Sequence, residues 1–428
     1  MGQLESTAKI SATGGERISQ WSMIFLIVLP FLILGSRVSS DTTASFCAAI
    51  LAIFWFMNPE HEIRKQAWFK VFFVLWLFMC GTSFFAADPK YVLTQSLIAI
   101  RWPAFALVLT CLVFTSENRL KLFERSALAL FVFIALDSIL QYFTGTDIFG
   151  HKVLPNEIRL TGPFTKLLPG SYALRIYPIA LIALVFLREK ISNSRFILLM
   201  VFMVAFSEFF AFLTGERVVF ILFGLVNLSF IIALIYQEKL SYKFMLGLIT
   251  GFSVLAVSSV MLAQKMFERT IVSVFEKLSN FQDSTSYPIY RTAYHLWEKS
   301  PWVGVGTRYY YQSCQALPLE LQPKPEGCTV HVHHIYGEWL TQNGLIGLGL
   351  FLVVLFFIFK VLWQNLDFKN KLLESTVIFV APVMLFFPLT PSMSMQTNNY
   401  AGLVWMLVAW AMARAILQGK DNQRLNLP

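Results

Sequence analysis

Charge is what this chain has least of. Only 14% of its 428 residues are Asp, Glu, Lys or Arg, where a soluble domain carries about a quarter. An ordinary water-soluble globule is thereby excluded. Hydrophobic residues make up 56% and Phe alone occurs 42 times, a surplus that one aqueous core cannot bury, so the expected solvent is lipid. Metal-chelating motifs are missing too. The aspartates are scattered, with no pair of the kind that holds Mg²⁺ or Mn²⁺, and no Cys–His spacing among the five cysteines matches a zinc finger. No internal repeat or low-complexity tract is visible. The first apolar run follows a polar stretch of about twenty residues and no small-residue cleavage site closes it, so it reads as a retained first helix and not as a signal peptide. The net charge of +9 raises the question of nucleic acid. The basic residues answer it, because they fall in short clusters between apolar runs, the pattern of membrane topology.

What is present is a series of runs long enough to span hydrocarbon, roughly 17–25 residues each. They lie at about 19–36, 42–57, 67–86, 96–114, 126–143, 169–187, 196–213, 218–236, 244–263, 344–362, 372–389 and 400–417. The expectation is an all-α integral membrane protein of about 12 transmembrane helices, in one polytopic domain over 1–428. The linkers at Arg64/Lys65, Arg119/Lys121/Arg125, Arg188/Lys190/Arg195, Lys239/Lys243 and Lys369/Lys371, together with both termini, fall on one side. That side is expected to be cytoplasmic. Two segments on the opposite side are long, one near 144–168 and one near 264–343. The second is a large, partly helical loop. It contains Cys314 and Cys328, for which a disulfide and two free thiols are both open. Cys47, Cys80 and Cys111 sit in apolar runs as packing residues.

Basic residues on the outward side break the charge rule and are therefore informative. Arg217 lies in the tight turn of "FLTGERVVFILF". It is read either as an anion-binding group, as a snorkelling cation, or as the partner of Glu216 or Glu208. In "YPIYRTAYHLWEKSPWVGVG", Tyr290, Tyr294 and Trp297 recur at i, i+4, i+7, the spacing of an amphipathic helix on a membrane or over a cavity. Arg291 and His295 share a neighbouring face, and the helix should stop at Pro301. Arg159 and Lys166 flank a Gly-Pro turn, while Arg101 and Arg175 lie inside spans near their outer ends. A single substrate accounts for all of them: an anionic, lipid-linked molecule whose phosphate oxygens pair with guanidinium groups.

Three of the six histidines crowd into "HVHHIYGEWLTQNGLIG". In extended backbone His331 and His333 share one side. A metal pair completed by His295 or Glu338, a structural histidine at a helix start, and a neutral imidazole serving an attacking hydroxyl are all open readings.

The order of these motifs resembles a known family. An apolar bundle, the "TGER" turn, an outer loop ending in "YRTAYHLWEKSPWVGVG" and then "HVHHIYGEWLTQNGLIG" is similar to the O-antigen ligase and Wzy-type polymerase superfamily of bacterial envelope glycosyltransferases, over a core of about 200–355. The resemblance implies transfer of a glycan from undecaprenyl diphosphate to an acceptor hydroxyl at the periplasmic face of the bacterial inner membrane. His333 would be the essential histidine and Gly344 its spaced glycine. His331 and His334 would support it, with His334 standing where the family carries Asn. Arg217 and Arg291 would bind the donor diphosphate, with Arg159, Arg175 and Arg101 as further candidates. The resemblance also implies an inverting reaction without metal or other cofactor. A ligase would use lipid A–core as acceptor and a polymerase a second lipid-linked repeat; the single large loop leans the reading to ligase. A lipid-linked glycan transporter is the alternative of a different class, expected to carry midplane charges and pseudo-repeats.

Overall fold

The computed structural model describes residues 21–425 except 154–156, 243, 245, 248–249, 252–256, 258–263, 273–278, 285, 325–326, 389–393 and 397. It is 76% helical, as an all-α membrane protein must be when every backbone polar group in lipid has to be satisfied within its own segment. Eight described helices are long and apolar enough to cross a membrane, and three apolar helices are shorter. Each lies on one of the expected runs. The expected run at 244–263 falls largely outside the described residues.

Helices α1 (Trp21–Gly35) and α2 (Arg37–Met57) are separated by a single serine. Ser36 caps α2 in a capping box with Ser39, so the chain reverses without stranding the first amides. Then come α3 (Ala67–Thr82), α4 (Pro89–Ala99) and α5 (Arg101–Val108), followed by α6 (Glu117–Thr144), α7 (Pro169–Val185), α8 (Asn193–Leu213) and α9 (Arg217–Glu238). The loop segment carries α10 (Tyr287–Lys299) and α11 (Tyr310–Gln315). The last elements are α12 (Ile335–Asn365), α13 (Leu372–Leu385) and α14 (Asn398–Leu425).

The centre of the bundle is α14. Its membrane window is 89% buried, against 28–61% for the other long helices, and it touches α2, α5, α7, α12 and α13. Its repeated alanines, among them Ala401, Ala409, Ala411, Ala413 and Ala415, let neighbours approach closely.

The helix that follows the large loop starts before its apolar run does. Helix α12 begins at Ile335, not near residue 344, and Gly344 (φ 65°) interrupts it. Hydropathy marked the lipid-crossing half of α12 and missed its polar first two turns, which include Glu338, Gln342 and Asn343. The loop has a small core of its own. Ile289, Ala293 and Leu296 of α10 pack with Tyr310, Cys314, Leu317 and Val332. Cys314 and Cys328 form a disulfide, with Cα atoms 5.8 Å apart.

Candidate functional site

Val332 decides how the histidine segment lies. It is 1% exposed and buried in the loop core. With Val332 turned inward, the flanking imidazoles come together on the other side, their ring centroids 4.2 Å apart. His333 holds a left-handed backbone (φ 59°), uncommon for any residue with a side chain and a form of strain found at functional sites. His331 is buried, and its Nε2 has no hydrogen-bond partner among the described residues. Burial, then the charges of His333 and Lys166, push its pKa down to about 3. It is therefore a neutral imidazole at any ordinary pH.

His334 does something else. It is the N-cap of α12: its Nδ1 accepts from the Gly337 amide at 3.0 Å, and its Nε2 donates to the Pro388 carbonyl at 2.5 Å. Both ring nitrogens are committed to holding the helix start. The two neighbouring readings of the motif are thus divided between residues, with a structural histidine at 334 and a close imidazole pair at 331 and 333.

The glycine motifs are explained by the break in α12. At Gly344 the carbonyls of Thr341 and Gln342 are freed from the helix and accept instead from Val305 and Gly306, at 3.0 and 2.9 Å. In exchange, the amides of Leu345 and Ile346 donate to the carbonyls of Pro301 and Trp302, at 2.9 and 3.3 Å. The PWVGVG strap therefore lies directly on the broken helix. A Cβ on Gly304 would stand 2.3 Å from the Gln342 carbonyl carbon, and one on Gly344 would stand 2.2 Å from that of Trp302. These glycines are required for two backbones to touch.

A second group forms around the α8–α9 turn. Gly215 (φ 67°) reverses the chain and starts α9 at Arg217. Arg217 Nε donates to the Arg269 carbonyl at 2.9 Å, and Arg269 Nε donates to the Gly215 carbonyl at 3.1 Å. The side chains of Arg159 and Arg269 both pack over Gly215. Arg159 also donates to the Leu167 carbonyl. Three guanidinium groups thus meet over one turn. Burial, then the nearby Arg217 and Arg159 charges, lower the pKa of Arg269, with Glu157 opposing. The two carboxylates that the sequence offered Arg217 make other bonds. Glu216 accepts from the Gly170 and Ser171 amides at 2.8 and 3.2 Å, capping α7, and Glu208 bonds Asn227 at 2.8 Å. Burial raises the pKa of Glu216 despite those bonds.

The other candidate arginines are distributed differently. Arg175, 3% exposed, donates to the Ser171 carbonyl and to Tyr400 Oη and lies over the Tyr400 ring. Arg101 is ion-paired with Asp41 at 3.2 Å and stacked on Trp102. Arg291 is exposed and donates to the Glu320 carbonyl at 2.9 Å, pinning the loop to α10. The aromatic face of α10 does cover a cavity, as its spacing suggested. Tyr290, Tyr294 and Trp297 line an apolar groove of about 260 Å³ with Val332, His334 and Leu340.

Sequence reasoning missed Arg269 and Arg308. The backbone amide of Arg308 donates to Gln342 Oε1 and its guanidinium to Gln95 Oε1, both at 2.7 Å. Arg269 follows the ninth apolar run, so the argument that singled out Arg217 applied to it as well. Among the described residues, no three His, Cys, Asp or Glu side chains are placed to hold a metal ion. His295 lies beside Glu298, 3.3 Å away, and Glu338 accepts from Gln342 at 3.2 Å.

The fold and this site define a polytopic α-helical membrane protein with imidazoles and guanidinium groups gathered at the loop end of its bundle. Residues 198–352 match the family model described as O-antigen ligase, which supports the likeness to the O-antigen ligase and Wzy-type superfamily. The matched segment contains Arg217, Arg269, Arg291 and all three clustered histidines. It supports an O-antigen ligase- or polymerase-type function in a family of glycosyltransferase-like enzymes. No curated protein gives a match.

Proposed function

We propose that this protein transfers a glycan from undecaprenyl diphosphate to an acceptor hydroxyl at the periplasmic face of the bacterial inner membrane. The observation that carries the reading is the close His331–His333 pair standing at the same end of the bundle as the Arg159, Arg217 and Arg269 cluster. In the reaction, the acceptor oxygen bonds to the anomeric carbon, the bond from that carbon to the diphosphate breaks, and the diphosphate leaves with the electron pair. His333 accepts or orients the hydroxyl proton, a role typically worth about 10²–10⁴-fold in rate. His331, held neutral, leaves His333 without a competing positive charge at its side. Arg217, Arg269 and Arg159 stabilise the leaving diphosphate, so no metal is required for that charge. Configuration at the anomeric carbon inverts. Lipid A–core is the proposed acceptor, making this a ligase of lipopolysaccharide biosynthesis.

The test is a deletion strain complemented with variants, its envelope polysaccharide profile read by gel. Loss of capping, with polymer retained on the lipid carrier, is the expected result. Single capped repeats would make the enzyme a polymerase. Complementation by His333→Asn would remove the catalytic assignment. That substitution tests the imidazole cleanly, because Asn tolerates the left-handed backbone at this position.

A further inference from the structure

A cavity of about 230 Å³ lies between the first turns of two helices, with none of the Gly215-turn arginines in its lining. Ser36 and Arg37 at the start of α2 and Asn399 and Tyr400 at the start of α14 line it, with Lys166 and Tyr172 from the other side. Both helix starts turn their positive ends toward it. No carboxylate is among its lining residues. Among the described residues, Arg37 and Lys166 have no ion-pair partner, yet they are close enough for the Arg37 charge to lower the Lys166 pKa, after burial. Both side chains are exposed, so water screens part of their repulsion, and an anion seated between them would relieve the rest. A buried charged group stands behind the wall. Arg175, 3% exposed, donates to Tyr400 Oη at 2.6 Å while its Nε has no partner. Because Tyr400 accepts from Arg175, its own phenol proton is free to donate into the cavity.

We propose that Arg37, Lys166 and Tyr400 form a second anion subsite, which holds a phosphate-type group carried by the acceptor. The assignment to the acceptor rests on the proposed transferase reading. In that reading the arginines at Gly215 take the donor diphosphate, and nucleophile and leaving group stand on opposite sides of the reacting carbon. Lys166 is near enough to the imidazole pair for its charge to reach His331. An acidic acceptor anchored there would present its hydroxyl toward His333.

The experiment uses the full chain in nanodiscs of zwitterionic lipid. Acylation of Lys166 by an amine reagent is followed by mass spectrometry, with and without inorganic phosphate or pyrophosphate. Either ion should slow Lys166 acylation by about tenfold, the effect of one charge-assisted hydrogen bond. Protection should survive Arg217→Ala and vanish in Arg37→Ala. No protection in the wild type, or protection lost equally in Arg217→Ala, would overturn the subsite. In transfer assays Arg37→Ala should raise the acceptor KM by about tenfold and leave the donor KM in place. A rise in donor KM instead would assign the cavity to the donor diphosphate and overturn the acceptor claim. An active His333→Asn enzyme would defeat the transferase mechanism without altering Lys166 protection, so the two failures are distinguishable.

Discussion

Two groups of arginines at opposite ends of the helical bundle are held in different ways. At one end, Arg414 of α14 is buried and bonded to Glu124 at 2.5 and 2.6 Å and to Glu117 at 2.5 Å, with Trp410 donating to the same Glu124. Its charge is spent within the protein. Fourteen residues earlier on the same helix, about 21 Å away at 1.5 Å per residue, the loop end begins. There Arg217, Arg269 and Arg159 donate to backbone carbonyls, and Arg37 and Lys166 face a cavity lined by no carboxylate. A carbonyl orients a guanidinium without cancelling its charge. The paired arginine holds helices together; Arg159, Arg217 and Arg269 gather like charge over one turn, the cluster proposed above to take the diphosphate.

Variants at the two ends should therefore fail in different ways. The largest effect is expected from Glu124→Ala, which leaves Arg414 buried with half its partners gone. Breaking such a pair costs about 3–5 kcal/mol. Folded yield in detergent should collapse, and normal yield would show that the network is not structural. Arg217→Ala and Arg269→Ala should give normal yield but lose transfer by about 10²-fold or more, as expected when a charge-stabilising donor is removed. An equally poor yield for these two would erase the distinction between the ends.

Gly344→Ala comes next. It drives a methyl group into the Trp302 carbonyl and should detach the PWVGVG strap, read as new protease sensitivity between α10 and α12. Opening the Cys314–Cys328 bridge should be milder. It removes about 2–4 kcal/mol of restraint from the loop core that holds Val332, so transfer should fall under reducing conditions while the membrane helices stay folded. Double Cys→Ser enzyme of wild-type heat stability and activity would contradict this.

The smallest effects belong to pH and to the cap. Unfolded His331 takes up a proton below about 6.5, whereas in the folded loop it stays neutral down to about 3. Loop stability should therefore be constant above that window and fall as pH drops through it. Hydrogen exchange in the loop, corrected for intrinsic rates, should speed up between pH 7 and pH 5, and His331→Gln should flatten the change. A His331 resonance that titrates near 6.5 would refute the burial argument. His334→Asn should retain most activity, because Asn is a strong N-cap and loses only the bond to Pro388.

Much of this was legible in the sequence. Eleven of the twelve apolar runs coincide with described helices because hydropathy measures what lipid demands. His331 and His333 do meet, as alternation in extended backbone suggested, but His333 reaches its partner from a left-handed backbone. Arg269 and Arg37 were not picked out, although both break the same charge rule as Arg217. Attention to one tight turn concealed that three-dimensional proximity, and not turn length, assembles the cluster. Hydropathy alone put the start of α12 near 344, because a helix with polar first turns does not look apolar until Gly344, whereas the reading of a histidine at a helix start fits His334. Arg291 looked equivalent to Arg217 from spacing alone, and only the fold reveals that it is exposed and not among the side chains that pack over Gly215.

The central claim is that the carbonyl-held arginines at the Gly215 turn bind a diphosphate. The most direct measurement is the affinity of purified, nanodisc-embedded protein for undecaprenyl diphosphate, compared across Arg217→Lys, Arg269→Lys, Arg291→Lys and His333→Asn. Lysine keeps the charge and loses the planar fork. The account predicts affinity losses of about tenfold or more for Arg217→Lys and Arg269→Lys, and near wild-type binding for Arg291→Lys and His333→Asn. Unchanged binding in both Arg217→Lys and Arg269→Lys, with affinity lost in Arg291→Lys, would contradict it.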